Sequence, residues 1–116
     1  MTIPSEINAL IDKLNQELNQ IEQEATEGLV LARAIIQRFP NNDTLTQMLA
    51  FLNSARFYAD TERSRIQTIV ESLSRSNQTT GEEIQEAGED LSTKLGRVLE
   101  TKMRVIGAKN RLENLQ

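Results

Sequence analysis

The chain lacks cysteine, histidine and tryptophan, and aromatic residues make up only 3% of its 116 positions. These absences exclude disulfide frameworks, zinc fingers, haem ligation, cysteine–histidine nucleophiles and histidine bases. A helical di-iron site built from Glu-x-x-His pairs is excluded for the same reason. We therefore expect a protein that is not an enzyme, that uses no cofactor or metal, and that has no small-molecule substrate.

Long hydrophobic runs are also missing. No uninterrupted apolar stretch is longer than residues 28–32, whereas a helix needs roughly 20 such residues to cross a bilayer. The first ten residues lack the basic segment and apolar core of a secretory signal. We expect a cytoplasmic protein that makes no contact with membranes.

What the sequence does contain is helical periodicity. Apolar residues recur at alternating spacings of three and four from Ile11 to Phe39, which is the heptad pattern of coiled coils. The same pattern returns from Leu45 to Leu73 and from Ile84 to Leu115, and strand-like alternation is missing. We predict an all-α fold, an elongated antiparallel three-helix bundle made of a coiled-coil hairpin plus a third helix. The predicted helices cover about 5–39, 43–76 and 80–115, within a single helical-bundle domain spanning 1–116.

The helix ends carry recognisable signals. Pro40 disfavours the α conformation at Phe39, which predicts the end of the first helix. Asp43 is the predicted cap of the second helix. Thr80 and Glu83 have the spacing of a capping box at the start of the third helix. In such a box the side chain of each residue accepts a hydrogen bond from the backbone amide of the other.

Two stretches, residues 28–39 and 45–58, are apolar on more than one helical face, and we call them the apolar end. All four aromatic residues lie there. Because a three-helix bundle buries one stripe of each helix, we expect the surplus to form a protein–protein contact, in the simplest case between two copies in a symmetric dimer. The competing interpretation is a thicker core at this end. The predicted contact residues are Leu29, Leu31, Ile36, Phe39, Leu49, Phe51, Phe57 and Tyr58.

Charge is distributed unevenly along the helices. Acidic residues precede basic ones in the first and third helices, an arrangement that the helix dipole explains by itself. The alternative is that the basic second half of the third helix, residues 94–111, contacts nucleic acid. The acidic isoelectric point, about 4.9, and the lack of a stacking aromatic in that helix disfavour such a partner. The residues for this polyanion contact would be Arg97, Lys102, Arg104, Lys109 and Arg111.

Two further features bear on helix packing. Glu62, Arg63 and Arg65 interrupt the apolar seam of the second helix, which indicates either a buried ion pair or a solvent-facing stretch. Gly28 and Gly88 lie inside predicted helices, where glycine costs up to about 1 kcal/mol relative to alanine. This cost indicates either a close helix approach, at which these two glycines would face each other, or deliberate looseness of the helices.

From these features we expect a small non-catalytic helical interaction protein, an adaptor, accessory subunit or regulator that acts by binding. Its expected partner is another copy of itself, another protein, or both. The alternative is a nucleic-acid-associated regulator that uses residues 94–111.

Overall fold

The computed structural model describes residues 3–75 and 80–115, and within these ranges the chain forms three α-helices. Helix α1 spans Ser5–Arg38, α2 spans Asp43–Arg75 and α3 spans Gly81–Asn114. The predicted all-α bundle is confirmed, with helix ends within one residue of those expected where they can be compared. The predicted end of the second helix at Ser76 lies outside the described residues.

The helix termini follow from local hydrogen bonds. Pro4 precedes α1, and its carbonyl accepts from the Asn8 amide at 3.0 Å. The predicted cap of α2 is wrong by one residue: the Asn42 side chain accepts from the Leu45 amide at 3.0 Å, and Asp43 is the first residue of the helix. At this position the negative charge of the Asp43 carboxylate interacts favourably with the positive end of the helix dipole. At α3 the hydroxyl half of the expected capping box is present, with the Thr80 hydroxyl accepting from the Glu83 amide at 3.1 Å.

The three helices pack as an up-down-up bundle of 59 × 18 × 17 Å. Gly28 of α1 packs against Leu52 of α2, and Gly88 of α3 lies near Ile7 of α1. The helices α1 and α2 are therefore antiparallel, whereas α1 and α3 are parallel. The expectation that Gly28 and Gly88 face each other is wrong, because each is a close-packing point against a different helix at opposite ends of the bundle.

Helix α1 is the central element. It packs extensively against both neighbours, whereas α2 and α3 contact each other much less. Among the described residues, α1 supplies nine buried apolar side chains, α2 seven and α3 four. The four from α3 recur at intervals of seven: Leu91, Val98, Val105 and Leu112. Helix α3 is thus attached along one narrow stripe. No helix in the described ranges contains a segment that is long and apolar enough to span a membrane.

Candidate interaction surfaces

The apolar end divides between core and surface. Leu29 is only 1% exposed and belongs to the core, so its predicted role as a surface contact is wrong. The reason is that α1 packs against two helices and needs an apolar face wide enough for both. The thicker-core interpretation holds for this residue.

Three other predicted contact residues, Leu31, Ile36 and Leu49, are half-buried and pack against the core. Leu31 follows Glu24 by seven residues on the flank of α1 that faces α3, and Ile36 follows Leu29 by seven on the flank nearer α2. Because these side chains lie on opposite sides of α1, they do not form one continuous patch.

Phe39 and Phe57 are exposed, by 51% and 74% respectively. The guanidinium of Arg38 lies 5.7 Å from the centre of the Phe39 ring, within cation–π range. Phe57 lies on the outer surface of α2. Single exposed apolar side chains are common on monomeric proteins and do not by themselves define an interface.

Phe51 and Tyr58, one heptad apart on α2, lie on the flank that faces α3. Because α2 and α3 contact each other much less than either contacts α1, a groove remains open between them at both ends of the bundle. One open part, which we call the basic section, contains apolar and cationic side chains. Its principal residues are Met48, Phe51, Arg104, Ala108 and Arg111.

The other open part, which we call the acidic section, lies towards the C-terminal end of α2 and the start of α3. It again combines an apolar floor with charge, but the charge is negative. Its principal residues are Ile69, Leu73, Glu83, Glu86 and Asp90. Among the described residues that line these two sections, the basic section has no carboxylate and the acidic section has no cation.

A polar contact joins α2 to α3 between the two open sections. Glu62, only 5% exposed, accepts from Lys94 of α3 at 3.1 Å and from Arg65 of its own helix at 3.0 Å. Tyr58 is next to this contact, and burial raises the pKa of its hydroxyl, which lies beside Thr101. The ion-pair interpretation of the interrupted seam is correct for Glu62. Arg63 instead crosses to α1, where it donates to Asn19 at 2.8 Å.

Two of the five residues predicted for polyanion contact are occupied within the bundle. Lys102 of α3 pairs with Glu17 of α1 at 2.5 Å, and Lys109 pairs with Glu24 at 2.9 Å and Glu27 at 2.6 Å. The close ammonium of Lys102, followed by that of Lys13, lowers the pKa of the Glu17 carboxyl. These lysines therefore hold α3 against α1, and their charges are already paired with carboxylates of α1.

The other three residues, Arg97, Arg104 and Arg111, are exposed and recur every seven residues along α3. Arg104 pairs with Glu100 on its own helix at 3.5 Å, with both side chains mostly exposed. Arg104 and Arg111 line the basic section of the groove. The structure thus places the exposed cations of α3 beside Phe51 of α2, which joins two features that the sequence presents separately.

The described residues contain no cluster of three or more side chains arranged to hold a metal ion. Comparison with known proteins finds no matching family model, no matching curated protein and no matching solved structure.

Proposed function

We propose that this chain is a non-catalytic helical interaction protein that acts by protein–protein binding and self-associates through the groove between α2 and α3. The observation that carries this proposal is the open groove itself, because it leaves apolar side chains of two helices partly uncovered along a shared line. A groove between two helices is a common docking place for a further amphipathic helix. The apolar end contributes to the groove through Phe51 and Met48.

The proposed contact involves one face of the apolar end and not the whole of it. Phe51 lines the basic section, whereas Phe57 is isolated on the outer surface of α2. A role for the chain as an adaptor, accessory subunit or regulator would follow from what the assembled form presents to other proteins. Because Lys102 and Lys109 are paired inside the bundle, a nucleic-acid contact would depend on the three exposed arginines of α3. Two of these, Arg104 and Arg111, line the groove that we propose for self-association.

The test compares two phenylalanines of the same helix. We expect the wild-type chain to have a mass in solution that is a multiple of 13.1 kDa, measured by light scattering behind a sizing column. Phe51→Gln removes an aromatic anchor from the groove and should weaken assembly by at least about tenfold. Phe57→Gln removes an equally large but isolated side chain and should leave the mass unchanged.

Circular dichroism of both variants checks that the helices persist. A wild-type chain that stays monomeric at all accessible concentrations would overturn self-association. A loss of assembly in Phe57→Gln but not in Phe51→Gln would place the contact on the outer face of α2 and contradict the groove.

A further inference from the structure

We infer that a second copy of this chain occupies the groove in antiparallel orientation, so that the basic section of each copy faces the acidic section of the other. This inference rests on the proposed function and specifies its partner and geometry. It begins from the sequence of α3, in which positions seven apart along one flank change sign from acidic to basic. These positions are Glu83, Asp90, Arg97, Arg104 and Arg111.

In the groove this sequence pattern places positive charge at one end and negative charge at the other. Arg104 and Arg111 lie beside Met48 and Phe51 at one end of the bundle. Glu86 and Asp90 lie, with Glu83, beside Ile69 and Leu73 at the other end. The polar contact of Glu62 with Lys94 and Arg65 separates the two sections, and its two cations exceed its one carboxylate by a single positive charge.

A two-fold axis across the middle of the groove would pair the basic section of each copy with the acidic section of the other. In a two-fold interface the same patch is used on both copies and must complement itself. Antiparallel copies bring opposite charges together at each end, whereas parallel copies place like charges against each other, which is unfavourable. The apolar floors of the two sections would be covered in the same step.

The exposed area of the chain is consistent with such a partner. The monomer exposes 7352 Å², whereas a compact protein of this mass exposes about 6,400 Å². The elongated shape of the bundle contributes to this excess, which is similar in size to the roughly 800 Å² that each partner buries in a standard interface. A second copy laid along the groove would cover more of this surface than a ligand bound at one end.

Paired charge reversals test the orientation. The first variant, Glu86→Lys with Asp90→Lys, makes both sections basic. The second, Arg104→Glu with Arg111→Glu, makes both sections acidic. None of the four residues belongs to the ion pairs that hold α3 against α1. We expect each variant alone to assemble at least about tenfold more weakly than wild type, because like charges then meet at both ends.

An equimolar mixture of the two variants should recover assembly as a heterodimer, which native mass spectrometry identifies by the different masses of the two chains. Recovery requires both variants to be folded and therefore excludes misfolding as the cause of the separate losses. Wild-type-like assembly of either variant alone, or no recovery in the mixture, would overturn the antiparallel groove.

The two proposals fail differently. A monomeric wild-type chain removes both self-association and the antiparallel pair. A wild-type dimer that is lost in Phe51→Gln but is unaffected by charge reversal keeps the groove as the contact and removes the proposed orientation.

Discussion

Glu17 and Glu62 are buried charged residues, and each pairs with a lysine of α3. Glu62 is detectable in the sequence because it interrupts a heptad seam of apolar residues. Glu17 lies beside the seam of α1, where a glutamate is ordinary, and its partner Lys102 is distant in the sequence. Its burial depends on how α3 lies against α1, which no local pattern specifies.

Replacing Glu17 by Gln should destabilise the fold by about 2 kcal/mol at pH 7, because Lys102 stays partly buried and loses its carboxylate. The measurement is urea unfolding at a fixed protein concentration. As the matched control, Glu71→Gln removes one side of an exposed pair with Arg75, and we expect a change within about 0.5 kcal/mol. Equal losses in the two variants would contradict a special role for Glu17.

The pH dependence of the same variant has a definite sign. The pKa of Glu17 in the folded chain lies below its ordinary value of 4.5, so its contribution is fully present above that pH. The contribution is lost as the pH falls through the folded pKa. The stability difference between wild type and Glu17→Gln should therefore be constant above about pH 5 and shrink towards pH 3. A difference that stays constant throughout would mean that the carboxylate charge contributes nothing.

At the scale of the helix, the heptad pattern predicts the elements well because each seam is continuous and ends at a strong signal. Pro40 stops α1 and Thr80 starts α3, as expected. The sequence is less informative about which flank faces which neighbour. Leu29 belongs to the core because the apolar face of α1 packs against two helices. Phe51 lines a groove because α2 packs mainly against one helix, α1.

Glycine substitutions separate the two roles that glycine has in these helices. A Cβ atom at Gly28 would lie 2.9 Å from Cδ1 of the buried Leu52, whereas one at Gly96 would meet nothing within 4 Å. We expect Gly96→Ala to stabilise the fold by about 0.5–1 kcal/mol, through helix propensity alone. Gly28→Ala should instead destabilise it, because a tightly packed leucine must move.

Urea unfolding midpoints of the two glycine variants provide the comparison. Stabilisation by Gly28→Ala would mean that Leu52 has room to move, and that α1 and α2 approach each other less closely than the geometry indicates.

At the scale of the whole molecule, the weak contact between α2 and α3 is the feature that sequence patterns leave out. Each helix has a clear apolar stripe, but the stripes do not specify the distance between α2 and α3. Among the ion pairs of the described residues, Lys102 and Lys109 join α3 to α1, whereas Lys94 joins α3 to α2. Helix α3 therefore packs more extensively against α1 than against α2, and the groove between α2 and α3 stays open.

The shape of the assembled protein distinguishes the groove from a contact at the tip of the bundle. The monomer is 59 Å long with a Cα radius of gyration of 17.8 Å. An antiparallel pair joined along the groove should keep nearly the same maximum dimension and become thicker, because the long axes lie side by side. A dimer joined through Phe39 at the tip would instead approach twice the monomer length. Small-angle X-ray scattering on the dimer fraction measures this dimension directly, and a doubled length would contradict the groove even if the mass were that of a dimer.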